Sequence, residues 1–287
     1  MRTTTIVDSE SLPWENGLAY LRTLAPAFRD NLGPADKVEE NFARYWQKNL
    51  YLDSTSTRRL DLVRLDPGYT DLTHCCHDSV EEAFFLGGEA RIDGEGIFTA
   101  DDYFWRPPGW VHHAASPAGV EIVLGFEGRS NESGPVSRYV CAQQDAGDNM
   151  LIPRDDARAL GTRGRVKRVE SRLLVWQSGT AFARGEGALE GFDLEDLAVR
   201  VLSRNPVTGQ QTLLMRLDPG YAQTGAGAHG AWMQAFVLTG ACTLGETMLT
   251  RGTFMHRPAG VVEAPLSSEA GALLYVKLDG FLDYTLA

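Results

Sequence analysis

The sequence predicts an all-β protein: a duplicated sandwich or barrel of short strands, with a helical extension at the amino terminus. Three observations predict this. One segment recurs in register further along the chain, short apolar runs end at Gly and Pro in both copies, and apolar residues at helical spacing are confined to residues 17–47.

The recurrence sets the organisation. Arg64 to Tyr69 reads RLDPGY and Arg216 to Tyr221 reads RLDPGY again, a shift of 152 residues. The same shift pairs His77 with His229, Ala83 with Ala235, Phe84 with Phe236, Leu86 with Leu238 and Gly88 with Gly240. One deletion later, Pro107-Pro108-Gly109 pairs with Pro258-Ala259-Gly260. Solenoid repeats have periods of ~20–50 residues, so the duplicated unit here is a domain.

In chain order, Gly17 to Gln47 carries Leu18, Leu21, Leu24 and Phe28, then a break at Gly33-Pro34, then Val38, Phe42 and Trp46. This spacing predicts two helices. Leu60 to Leu65 and Thr212 to Leu217 are strands stopped by Asp-Pro-Gly, where Pro fixes φ and Gly accepts a positive one. Glu82 to Leu86 and Gln234 to Leu238 follow, then turns at Gly94-Glu95-Gly96 and Gly245-Glu246. Tyr103 to Arg106 and Thr253 to Arg257 end at Pro, and Val120 to Phe126 and Ala272 to Leu278 close each copy. Many short strands at such spacing argue for a sandwich or barrel. Gln143 to Gly164 reads as the linking region and Val169 to Ser178 as the strand opening the second domain. The expected division is a helical extension over 1–55, a first β domain over 56–145 and a second over 146–287.

Composition excludes some partners. Lys plus Arg is 27 against 38 Asp plus Glu, a net charge of −11, without a basic patch. Such a surface repels phosphate backbones and anionic lipid, so neither nucleic acid nor membrane is expected as a partner. The first residues, MRTTTIVDSESLPWENG, lack the apolar run of a signal peptide. Cys75, Cys76, Cys141 and Cys242 are too sparse for a disulfide scaffold, so the expected compartment is cytoplasmic.

The chemistry concentrates in the first copy. It holds four of the six histidines: His74 and His77 in Gly68-x5-His74-Cys75-Cys76-His77-x3-Glu81-x6-Gly88, and His112 and His113 at the end of Pro107-Pro108-Gly109-Trp110-Val111-His112-His113. Neutral imidazoles with a carboxylate form a mixed nitrogen and oxygen donor set suited to divalent transition metals, with positions left for substrate. His77, Glu81 and His112 fit this pattern. On a regular strand Cys75 would share the face of His77, whereas a bulge would bring His74 there instead. A thiolate would favour Zn or Cu. The surplus of His favours His74.

These two motifs resemble the paired motifs of the cupin superfamily, G-x5-HxH-x3-4-E-x6-G and PxG-x2-H. The resemblance covers the sheet region of the first half. It implies a duplicated jelly roll, a bicupin, with metal ligands His74, His77, Glu81 and His112 and one divalent ion per chain. Fe(II) is favoured, with Zn, Mn and Ni as alternatives. It also implies a homodimer, since cupins commonly pair through edge strands. The kinds it resembles are acetylacetone-cleaving and hydroxyacetophenone dioxygenases, which implies an oxygenase acting on a small carbonyl or phenolic substrate. The alternatives are a regulatory metal-binding cupin like the ChrR anti-sigma factors, or a metal-dependent isomerase or lyase that uses the ion as a Lewis acid.

The second copy keeps scaffold without ligands. His229 answers His77, but Met233 answers Glu81, Glu263 answers His112, and Ala226 and Gly227 answer His74 and Cys75, with His256 displaced. A metal-free second domain is expected. Ordinary roles are expected for His113, for Trp105 and Trp110 as packing, and for Asp-Pro-Gly-Tyr as a turn.

Overall fold

The computed structural model describes residues 3–23, 29, 32–53, 55–56, 58–72, 74–77, 79–106, 110, 112–127, 139–141, 166–205 and 208–287. Leu24, Phe28, Pro107-Pro108-Gly109, Val111 and the linking region Gln143 to Gly164 lie outside them. The fold is a duplicated cupin β-sandwich whose chain forms two compact units, Leu12–Arg172 and Met1–Ser11 with Leu173–Ala287.

The unit Leu12–Arg172 is organised around one long strand, Val80–Ile92. Across its main sheet the order is Val166–Glu170, Asp102–Arg106, Val80–Ile92, Val120–Glu127, Arg59–Leu65, Tyr45–Leu52 and Glu15–Asn16. The far end of the long strand leaves this sheet to pair with Gly96–Thr99 and Ala114–Ser116. It can turn there because Gly88 has φ 79° and no side chain; a Cβ at that position would lie 2.1 Å from the Gly119 carbonyl oxygen. Gly240 repeats this, with φ 75° and 2.1 Å to the Gly271 oxygen. The last glycine of the first motif is thus a backbone requirement.

Strand alternation fills the interior. Ala83 and Phe85, Val63 and Leu65, and Ile122 and Leu124 send every second side chain into one apolar cluster. By the same alternation Glu81 and Arg106 project inward with Ala83 and Phe104.

Helices Gly17–Thr23 and Ala35–Phe42 pack through Leu21 and Val38, with Leu18, Phe42 and Leu72 beside them. Trp46 departs from the helical reading. It lies in the strand Tyr45–Leu52, paired with Arg64, because the chain leaves the helix at Ala43 and a strand ladder takes over two residues later.

The unit Met1–Ser11 with Leu173–Ala287 repeats the order: Thr5–Asp8, Thr253–Arg257, Met233–Leu244, Ala272–Asp279, Gln210–Leu217, Leu197–Arg204 and Gln177–Ser178. The outer strand of each sheet comes from the segment that precedes the other half. Thr5–Asp8 pairs with Thr253–His256, while Val166–Glu170 pairs with Asp102–Trp105. This corrects the strand read at Val169 to Ser178. It ends at Glu170, where Ser171–Leu173 makes a 3-10 turn and the Ser171 amide donates to the Asp101 carbonyl. No helix among the described residues is long and apolar enough to cross a membrane.

Candidate functional site

The interior of the unit Leu12–Arg172 holds a cavity of about 180 Å³. Phe85, Phe104, Ile122 and Leu124 form apolar walls, and Gln47, Arg59, Asp71, Glu81, Arg106 and His112 supply its polar groups. Apolar lining with a few convergent polar groups is the usual make-up of a small-molecule site.

Glu81 opens the long strand directly opposite Arg106, and both are buried. Arg106 Nη1 donates to Glu81 Oε2 at 2.9 Å, and its Nη2 donates to Glu95 Oε2 at 3.2 Å. The Trp110 indole donates to the other Glu95 oxygen at 2.9 Å. His112 Nδ1 lies 3.2 Å from the Trp110 carbonyl, and its Nε2 lies 3.9 Å from Glu81 Oε2. A carbonyl only accepts, so this contact is made with a proton on Nδ1, and Nε2 is the ring nitrogen nearer Glu81. A single chain of bonds therefore runs from Glu81 through Arg106, Glu95 and Trp110 to His112. Burial opposes the charge on Arg106, yet the Glu81 and Glu95 carboxylates outweigh it and hold the guanidinium above its usual range.

Elsewhere on the wall, burial pushes the Asp71 carboxyl up, although the Ala114 amide at 2.7 Å and the Tyr69 hydroxyl at 2.9 Å donate to it. Burial also raises Tyr45, whose hydroxyl is 3.4 Å from Gln47 Oε1. Arg59 Nε is 2.5 Å from Asp61 Oδ2, with the guanidinium over the Phe126 ring.

The structure thus brings Glu81 and His112 together. His74 Nε2 is 3.5 Å from Asp93 Oδ2, and its ring is 5.2 Å from that of His113, whose Nδ1 is 3.6 Å from the same oxygen. Cys75–His77 forms a short strand paired with Tyr139–Cys141, with side chains outside the described residues. Among the described residues, no group of three or more His, Cys, Asp or Glu is arranged to hold a metal ion.

Sequence reasoning missed Arg106 and Glu95. The available signal was an Arg before a Pro in both copies, Arg106 and Arg257, at corresponding places. In the second copy Met233 occupies the position opposite Arg257. His229 is buried with Nδ1 2.9 Å from the Asp283 carbonyl, and Glu263 accepts from the Thr4 hydroxyl. His256 lies beside Trp232, their ring centroids 6.2 Å apart.

Comparison with known proteins agrees with this architecture. A candidate dioxygenase from Nostoc punctiforme superposes with a TM-score of 0.74 at 17% identity, over 100% of this chain and 87% of that one. Salicylate 1,2-dioxygenase from Pseudoaminobacter salicylatoxidans, in a structure of its adducts with gentisate, gives 0.60 at 16% identity, over 96% and 81%. At these identities the likeness is one of fold. No curated protein matches the chain. The model of DUF4437, a domain of unknown function, matches residues 62–285, which spans both copies of the repeat, and the chain therefore belongs to the DUF4437 family.

Proposed function

We propose that the chain is a metal-dependent cupin oxygenase, of the dioxygenase kind, acting on a small carbonyl or phenolic substrate inside the unit Leu12–Arg172. The observation that carries this reading is the pairing of Glu81 with His112 on the wall of an apolar cavity, both braced by the Arg106–Glu95–Trp110 chain. The dioxygenases that share the fold support it.

The residues fit a divalent ion. Glu81 Oε2 and His112 Nε2 are 3.9 Å apart, less than twice a metal–ligand bond of ~2.1 Å, so one ion can reach both. His77 is the third proposed ligand, since its counterpart His229 is buried in the interior of its own unit. His74 is the fourth proposed ligand. Bound there, one ion per chain, Fe(II) in this reading, would supply Lewis acidity and one-electron chemistry toward dioxygen.

The chain's own residues do the rest. Arg106 fixes one Glu81 oxygen, and the Trp110 carbonyl fixes the tautomer and orientation of His112, as groups behind metal ligands do. The walls exclude water, and a cavity of about 180 Å³ admits a molecule of one-ring size. Arg59 and Gln47 provide polar contacts for a carbonyl or phenolic oxygen.

Elemental analysis followed by oxygen uptake with the metal restored tests the proposal. Iron with substrate-dependent uptake, abolished in Glu81→Gln, is the expected result. Tightly held zinc without turnover across carbonyl and phenolic substrates would overturn it in favour of a regulatory cupin.

A further inference from the structure

The two copies of the repeat treat one buried arginine differently. Arg106 is neutralised by Glu81 and Glu95. In the second copy Met233 stands in the place of Glu81, and Glu246, in the place of Glu95, is exposed. Both carboxylates are withdrawn, yet Arg257 remains, 2% exposed. A guanidinium does not give up its proton in a protein, so a cation stays there. Burial lowers the pKa of Arg257, against the electrostatic influence of Tyr284 and Glu263 and a hydrogen bond to Tyr284; the Glu263 carboxylate also accepts from Thr4.

The open edge of this guanidinium is specific. Nε and Nη2 are buried and have no hydrogen-bond partner among the described residues. These two nitrogens form the side-on edge of arginine, whose parallel N–H bonds match the two oxygens of a carboxylate. Aromatic rings stand beside it. The Tyr284 ring centroid is 5.9 Å from the guanidinium carbon, 5.0 Å from the His229 ring and 5.4 Å from the Phe192 ring. His229 stays neutral, because burial, and then Arg257, lower its pKa to about 3.

The geometry points to a second ligand site, in the interior of the unit Met1–Ser11 with Leu173–Ala287, that takes a small organic monocarboxylate side-on to Arg257. The bound anion replaces the charge that Glu81 and Glu95 supply in the first copy. The site is independent of the oxygenase reading and needs no metal.

Thermal unfolding of the intact chain tests it, with sodium acetate and sodium benzoate compared against sodium chloride at matched ionic strength. For the wild type, Tm is expected to rise with the logarithm of carboxylate concentration, well beyond the effect of chloride. His112→Ala keeps this rise, which separates the site from the first cavity. Arg257→Met abolishes it and, with no buried charge to compensate, unfolds at a higher temperature than the wild type in carboxylate-free buffer. Should Arg257→Met fail to fold, Arg257→Lys retains a charge without the planar fork and is expected to weaken carboxylate binding at least tenfold. A wild-type response no larger than that to chloride, or wild-type affinity in either Arg257 variant, would overturn the proposal.

Discussion

At the scale of single residues, the bonds around Arg106 make Glu95 a supporting group for Glu81. Removing its charge leaves the guanidinium to Glu81 alone and loosens Trp110, whose carbonyl holds His112. Glu95→Gln is therefore expected to weaken metal affinity by ~10–100-fold with the fold retained, as measured by competition with a chromophoric chelator. His229 carries a pH prediction. Its folded pKa of about 3 lies below the unfolded value of ~6.5, so both states are neutral above pH 6.5 and it then costs nothing. As pH falls below that value the unfolded state takes the proton first. Stability then falls by up to about 1.4 kcal/mol per pH unit until the pH nears 3. His229→Phe should flatten that part of the stability profile in denaturant titrations between pH 4 and 7.

At the scale of elements, the long strand of each unit depends on a glycine that lets it leave one sheet for another. Gly88→Ala would place a methyl 2.1 Å from a backbone oxygen at φ 79°, and a destabilisation of roughly 2–4 kcal/mol is expected. Gly33→Ala meets nothing within 4 Å and strains only φ, so it should cost roughly 1 kcal/mol, with both variants measured by urea titration. The sequence announced these strands because Asp-Pro-Gly turns and motif glycines fix their ends by local chemistry. Where no such punctuation exists, periodicity misled. Trp46 continues the spacing of Val38 and Phe42 by coincidence, although the chain is already extended there. The closeness of Glu81 and His112 was legible from motif spacing. Arg106 was not, because an arginine beside a proline at a strand end reads as surface charge until the Gly94–Gly96 turn brings Glu95 to it.

At the scale of the whole molecule, each unit completes its sheet with a strand that precedes the other half. Deleting residues 1–11 removes Thr5–Asp8 from the edge of Thr253–Arg257. Faster hydrogen exchange is expected along Thr253–Arg257, with Asp102–Arg106 unchanged, because the latter keeps Val166–Glu170. No local signal in Met1 to Ser11 could have shown where that strand goes, since pairing over such a distance is decided by the fold. The duplication also divides the chemistry: one copy retains Glu81 opposite an arginine and the other has Met233 there. In the proposed function the chain carries one metal, held by the first copy through Glu81 and His112. The most direct test is metal content by mass spectrometry after anaerobic loading with Fe(II) and desalting, for the wild type, Glu81→Ala and His112→Ala. About one ion per wild-type chain, and none in either variant while circular dichroism stays unchanged, is the expected result. Two ions per chain, or variants that keep their metal, would contradict it.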